Sequence, residues 1–359
     1  MNKLLEPLSF TRGPDMKNRF MLAPMTNLQS HADGVLSDAE FKWLTMRAEG
    51  GFGLTMTCAA HVQAIGQGFP GQLGVFSDKH IEGLTRLART IKNHHSIAIC
   101  QLHHAGMRSP ADLIGETPVC PSDNEETGAR AMTVKEVEQL VSDFVAAAVR
   151  TEKAGFDGIE LHGAHGYILC QFLSGKINQR DDHYGGSEEN RSRILFEIID
   201  GVRKQCGPDF MVGVRLSPEN FDMSLTDILG LVRRMIDEGQ IDFLDMSMWD
   251  VFKEPEEKHL QGRSLLSYFT ELDRRDVRLG VAGKIYTAAE AEQVMATGVD
   301  WVMLGRAAIL HHDFPQQYAR NTDFEPIELP VLSQHLLTEG LSDKFIAYLQ
   351  SWPGFVAAE

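Results

Sequence analysis

No stretch of this 359-residue chain approaches the roughly 18 consecutive apolar residues of a membrane span, so no helical membrane partner is expected. Cysteine is scarce. The five present (Cys58, Cys100, Cys120, Cys170 and Cys206) are odd in number and widely spaced. A disulfide frame, a zinc site or an iron–sulfur cluster needs closer groupings, so free thiols in a reducing cytoplasm are expected. Basic residues are outnumbered, with 34 Lys and Arg against 50 Asp and Glu. The formal charge of −16 argues against nucleic acid or an anionic membrane as partner and leaves a small molecule. Linkers rich in Gly and Ser or in Pro are missing too, so the chain reads as one folded unit. The opening Met1-Asn2-Lys3-Leu4-Leu5-Glu6-Pro7 has no long apolar core, and no secretory leader is expected there. Assembly into a homo-oligomer is left open.

What the chain has is a recurrence. Apolar runs at 20–22, 53–57, 97–102, 158–161, 210–216, 241–245, 279–282 and 301–304 alternate with stretches of helical period. Strands alternating with helices place the chain in the α/β class, and this alternation is what a single (β/α)8 TIM barrel requires. The barrel is expected over residues 1–320, with a C-terminal tail over 321–359 that is helical from 341 to 350. Helix starts agree. Ser37-x-x-Glu40 and Thr133-x-x-Glu136 read as capping boxes, in which a hydroxyl and a carboxylate each take an orphan N–H. After Thr133, Val137, Leu140, Val141, Phe144, Val145 and Ala148 recur at three-to-four spacing, a stripe for packing on the sheet. The longer inserts, 105–132, 166–189 and 246–264, all follow strands, on the face where barrels keep their active sites.

His162-Gly163-Ala164-His165-Gly166-Tyr167 follows the fourth run. A histidine at a strand's end and another three residues on can aim two ring N–H groups at one small volume, and a tyrosine hydroxyl beside them adds a proton donor. That suits an electron-poor carbonyl or nitro compound; a polar surface loop and a pair of metal ligands are the rival readings. Ala23-Pro24-Met25-Thr26 ends the first run, where a proline frees neighbouring backbone groups and Thr26 offers a hydroxyl. Gln101 carries an amide that can donate to and accept from a planar heterocycle, or else bond backbone in the core. Arg215 interrupts an apolar strand and needs an anionic partner, either a ligand or a carboxylate such as Glu160 or Asp245. Gly283-Lys284 and Gly305-Arg306 end the last two runs, where barrels commonly bind phosphate. Gly66-Gln67-Gly68-Phe69-Pro70-Gly71 matches a dinucleotide fingerprint only in letters, because Pro70 keeps a helix from opening there; it reads as a flexible loop. His103-His104 reads as structural.

Taken together these residues resemble the old yellow enzymes, FMN-dependent ene-reductases. The most specific stretch is His162-x-x-His165-Gly166-Tyr167, continuing through Gln171-Phe172-Leu173-Ser174 to Asn178, Arg180, Asp182-x-Tyr184-Gly185-Gly186-Ser187-x-x-Asn190-Arg191-x-Arg193. The resemblance spans about residues 5–314. It implies FMN, with NADPH or NADH as hydride donor, and an activated alkene as substrate. It implies that Ala23, Pro24, Met25, Thr26, Ala59, Gln101 and Arg215 meet the flavin ring and that Gly283, Lys284, Gly305 and Arg306 hold its phosphate. His162 and His165 would bind the activating oxygen, Tyr167 would supply a proton, and no metal is implied. Leu28 and Gly175 depart from the family pattern, the latter standing where proline usually follows Ser174. A dienoyl thioester or methylated amine as substrate, a metal-dependent barrel hydrolase and a non-catalytic flavin-binding protein are the alternatives.

Overall fold

The computed structural model describes residues 2–358, and among them the chain forms ten strands. These are β1 (Phe20–Leu22), β2 (Leu54–His61), β3 (Ile97–His103), β4 (Val119–Cys120), β5 (Arg130–Ala131), β6 (Gly158–Gly163), β7 (Met211–Leu216), β8 (Phe243–Ser247), β9 (Arg278–Ala282) and β10 (Trp301–Leu304). Eight of them close into a parallel barrel in the order β1-β10-β9-β8-β7-β6-β3-β2, with helices on the outside. The short pair β4 and β5 was not expected and lies inside the insert at 105–132. Several strands run further toward their C-terminal ends than the apolar runs suggest: β2 to His61, β3 to His103, β6 to Gly163 and β8 to Ser247. Backbone pairing continues there while the inward side chains turn polar.

The strand period of two sorts those side chains into layers. At the bottom, Ile97, Ile99, Met211, Phe243, Trp301 and Met303 form a buried cluster separate from the helix-facing core. Two glycines make room for its large rings. A Cβ on Gly213 would sit 2.0 Å from the Phe243 ring, and one on Gly280 would sit 2.2 Å from Trp301 Nε1. Further along the barrel strands come Gln101, Glu160, Arg215 and Asp245, and above them His103, His162 and Ser247. The interior thus grades from apolar to polar toward the end that carries the long inserts.

The helix Val134–Lys153 starts as expected, with Thr133 Oγ1 accepting from the Glu136 N–H at 3.3 Å and the Glu136 carboxylate accepting from the Thr133 N–H at 2.8 Å. Its stripe packs on the sheet, except that Val141 stays half-buried. The helix Asp38–Glu49 departs from expectation. Ser37 accepts from the Glu40 N–H, but the Glu40 carboxylate turns into the core instead of reaching back. There it accepts from Asn27 Nδ2 at 3.1 Å, from the Ser30 hydroxyl and from the Cys58 thiol at 2.8 Å, tying the loop after β1 to the helix. Burial pushes its carboxyl above the ordinary range. Three inward donors outcompete the single N–H of Ser37.

The segment beyond residue 320 carries helices Ser333–Thr338 and Asp343–Gln350, the second starting two residues later than expected because Ser342 caps it. It packs on the barrel. Phe345 meets Trp43 edge-on at 5.0 Å, the buried Arg47 donates to the carbonyls of Ala308 (3.1 Å) and Glu339 (2.7 Å), and Gln29 Oε1 accepts from the Ser342 N–H and hydroxyl. Among the described residues no helix is long and apolar enough to cross a membrane.

Candidate active site

A cavity of about 670 Å³ opens at the C-terminal end of the barrel. Every residue expected to meet the cofactor or substrate lines it: Ala23 to Thr26 after β1, Ala59 at the register shift between β2 and β3, Gln101 on β3, His162, His165 and Tyr167 at and after β6, and Arg215 on β7. Gly283 and Lys284 follow β9, and Gly305 and Arg306 follow β10. Among these, residues up to 283 positions apart in sequence meet here (Ala23 to Arg306) because each strand of a parallel barrel delivers its last residues to the same face.

The two histidines are arranged differently from the simple expectation. His162 Nδ1 accepts from the Ala164 N–H at 3.3 Å, which places the proton of the neutral ring on Nε2. That N–H faces His165 Nδ1 at 3.2 Å, and His165 Nε2 in turn donates to Ser247 Oγ at 2.6 Å. Arg215 Nη2 also donates to Ser247 Oγ, at 3.2 Å. The donors therefore form a chain, His162 to His165 to Ser247, rather than two free N–H groups pointing outward. A ligand oxygen must take the place of an internal acceptor. Burial holds both rings well below the usual histidine range, with Arg215 adding to the effect, so both are neutral donors near pH 7. Tyr167 packs edge-on to His162 at 5.1 Å and to His103 at 4.3 Å, and burial raises its phenol, which stays protonated.

Gln101 and Arg215 form one wall. Gln101 Nε2 donates to Glu160 Oε1 at 2.6 Å, which turns the amide and commits one of its N–H bonds to the interior. Asp245 lies beside Glu160, and burial together with that neighbour pushes the Asp245 carboxyl well above the ordinary range. Although Arg215 and Asp245 are register partners, among the described residues no carboxylate lies within ion-pairing distance of the guanidinium, and Arg215 Nε has no hydrogen-bond partner. A buried cation so placed is matched to an electron-rich ligand edge. Neither Glu160 nor Asp245 forms an ion pair with it, although its charge still acts on the Asp245 carboxyl. At the phosphate end the two loops differ. Lys284 is bonded to Asp250 at 3.0 Å, whereas Arg306 is half-buried over the Tyr286 ring at 4.3 Å with no acidic partner among the described residues. The Gly283 backbone is closely covered by residues 249–251, where a Cβ would meet Asp250 N at 3.0 Å. These groups fit FMN: an unpaired arginine and an amide for a ring edge, and glycine backbone with a free arginine for a phosphate.

Several lining residues carried no sequence signal: Phe69, Trp249, Ile285, Tyr286, Met303, Tyr348 and Trp352. Phe69 belongs to the glycine-rich segment, which is not a free loop. Gln72 straps it to the barrel through Ala59 O (2.8 Å), His103 Nδ1 (3.0 Å) and the Gly68 N–H (2.7 Å). Among the described residues no three His, Cys, Asp or Glu side chains converge as metal ligands do.

A closed parallel barrel with this mouth defines an oxidoreductase that works through a bound FMN. The chain belongs to the NADH:flavin oxidoreductase / NADH oxidase family, whose model matches residues 3–325, and this is the family of the old yellow enzymes. It is 36% identical over 318 residues to the probable NADH-dependent flavin oxidoreductase YqiG of Bacillus subtilis, covering 86% of this chain and 85% of that one. It is 33% identical over 321 residues to the NADPH dehydrogenase of Bacillus cytotoxicus, covering 86% and 90%. Among solved structures it superposes on the old yellow enzyme homologue from Zymomonas mobilis with a TM-score of 0.80 at 26% identity, covering 95% and 99%. The protein is an NAD(P)H-dependent flavin oxidoreductase.

Proposed function

We propose that the protein reduces the C=C bond of activated alkenes, α,β-unsaturated carbonyl or nitro compounds, in a ping-pong cycle driven by NADPH or NADH. The observation that carries this reading is the meeting of two neutral imidazoles and a protonated phenol at one cavity wall, at the same mouth as Gln101 and Arg215. FMN held there would supply the hydride chemistry between the nicotinamide and the β-carbon of the alkene. Arg215 and Gln101 hold the ring edge, and Gly283, Gly305 and Arg306, with Lys284 where Asp250 releases it, hold the phosphate. His162 and His165 give up their internal contact to donate to the activating oxygen, which stabilises the charge that develops there. Tyr167 protonates the α-carbon. Phe69, Tyr348 and Trp352 wall the cavity and exclude water. One mouth serves donor and acceptor in turn, which is why the two half-reactions alternate. The cysteines, all unpaired, fit a cytoplasmic setting.

Tyr167→Phe tests the assignment by separating the two halves of the cycle. Flavin reduction by NADPH needs no proton from Tyr167 and is expected to change little. Reoxidation by an enone is expected to slow by about 10²–10⁴, the usual cost of losing a general acid. Reoxidation by a quinone is expected to be spared, because its oxygens take protons from solvent. Stopped-flow traces in which all three steps slow together, or none does, overturn the role given to Tyr167.

A further inference from the structure

One aromatic of the cavity wall has no part in the cycle above. Trp249, in the loop that follows β8, lines the cavity and is nevertheless 60% exposed. Tyr348 and Trp352 in the same wall are half-buried and meet edge-on at 5.7 Å, whereas Trp249 leaves an indole face open to water. A lone exposed apolar residue is ordinary. The backbone beneath this one is not. Trp249 takes a left-handed φ of 59°, a region that bulky side chains rarely enter. The Asp250 N–H donates to the Met248 carbonyl at 2.6 Å, which closes a three-residue turn centred on Trp249, the rare and strained form of such turns. Neighbouring bonds hold it. The Met248 N–H donates to the Ala282 carbonyl at 2.8 Å, the Val251 N–H donates to the Gly283 carbonyl at 3.2 Å, and Lys284 is bonded to Asp250. Strain persists only where the surroundings over-determine it, and here it fixes an indole at the rim instead of letting it turn into the core.

What reaches the rim follows from size. The cavity of about 670 Å³ has to hold the flavin ring and then, in turn, a nicotinamide or an alkene. A dinucleotide donor carries a second half, an adenosine joined through a pyrophosphate, for which no room is left inside. That half passes over the rim whenever the nicotinamide is seated. A compact alkene has no such overhang.

We propose that Trp249 is a binding residue for the hydride donor, its indole being the platform on which the adenine ring stacks while the nicotinamide occupies the cavity. This rests on the reading in which donor and acceptor share one mouth. Every base has a π-face, so stacking on an aromatic ring needs no hydrogen bond from the rim, and an indole offers a large rigid face for it. NADH and NADPH are served alike, because the phosphate that distinguishes them sits on the ribose and not on the stacked ring.

The test uses the FMN-loaded protein and two non-reducing donors, tetrahydro-NAD and the tetrahydro form of nicotinamide mononucleotide, which lacks the adenosine half. Their dissociation constants are read by calorimetry. The quantity compared is the ratio of the two, so differences intrinsic to the ligands cancel between proteins. In the parent the dinucleotide is expected to bind more tightly, and in Trp249→Ala that advantage is expected to fall by about five- to tenfold, the lower part of the range for a base stacked on an aromatic ring. Trp249→Phe is expected to keep most of it. Trp249→Gly, whose backbone suits the left-handed turn, is expected to match the alanine variant, which separates loss of the ring from a change in the turn. A ratio unchanged within twofold in Trp249→Ala, including the case where both ligands weaken equally, makes the indole a cavity wall only and overturns the proposal. Equal affinity of the parent for the two ligands overturns it as well. If neither ligand displaces a phenol from the parent protein, the shared mouth falls first and this inference falls with it.

Discussion

Mild acid should destabilise this protein through histidines that its fold refuses to charge, and His104 gives the sharpest test. The residue is buried just past β3. Its Nδ1 accepts from the Gly106 N–H at 3.0 Å, its carbonyl accepts from the Ile168 N–H at 3.0 Å, and a Cβ on Gly66 would sit 2.4 Å from its ring. Burial brings it down to about 3, while in the unfolded chain it titrates near 6.5. Between those values the unfolded chain binds a proton that the folded one rejects, so stability rises with pH and is lost as pH falls below about 6.5. Going from pH 7.5 to 5.5 costs about 1.4 kcal/mol for this one group. His61, held at about 4 mainly by burial, adds a similar loss, and His103, His162 and His165 act in the same direction. Asp245 acts oppositely, because its raised carboxyl gains a proton on folding. The total is therefore a sum of opposed effects, and the contribution of His104 is isolated by difference. Urea unfolding, followed by the fluorescence of the four tryptophans at one saturating FMN concentration, gives the stability at both pH values. His104→Gln lowers stability at either pH, but that part cancels in the comparison. The drop between pH 7.5 and 5.5 is expected to be smaller in the variant by about 1.4 kcal/mol. An equal drop in both proteins refutes the reasoning.

Two further substitutions probe the site. Arg306→Ala removes an arginine with no protein carboxylate, and the FMN dissociation constant is expected to rise by about tenfold or more, since a charge-assisted bond is worth about 1.5–3 kcal/mol; unchanged retention, read from the fluorescence of released flavin, takes Arg306 out of the phosphate site. Ser247→Ala removes the acceptor that orients His165 and receives Arg215, and phenol affinity is expected to fall about fivefold, the value of one neutral hydrogen bond of about 1 kcal/mol. Unaltered phenol binding would mean that the histidine chain does not set the donor geometry.

The barrel was legible because buried parallel strands are apolar almost throughout, and eight such runs alternate with helical stripes. Their ends were less so. At Gln101-Leu102-His103 and His162-Gly163 the inward residues become polar where the cavity begins, so hydropathy stops before the ladder does. The constellation around His162, His165 and Tyr167 was readable because its members are neighbours in sequence. Their donor chain was not, since it depends on Ser247, which is 82 residues from His165. Glu40 shows a related limit. A carboxylate three residues after a serine fits a capping box, and nothing local reveals that Asn27, Ser30 and Cys58 wait on the inner side. Trp249 and Trp352 lie in segments without periodicity, where an aromatic has no stated direction until the chain around it is placed, and Tyr348 lies in an expected helix whose pattern does not say which neighbour that face meets.

The placement of Tyr348 and Trp352 in the cavity wall sets an order on how the protein becomes competent during synthesis. Every barrel strand and every glycine and arginine of the phosphate loops has been made by residue 306, yet the wall is completed only when residue 352 is available. At the usual pace of about 5–20 residues per second, the 46 residues between them take roughly 2–9 s. A chain that ended at residue 306 would carry the phosphate loops and the histidine chain but would be open where Tyr348 and Trp352 stand, so the tail narrows the route into the cavity.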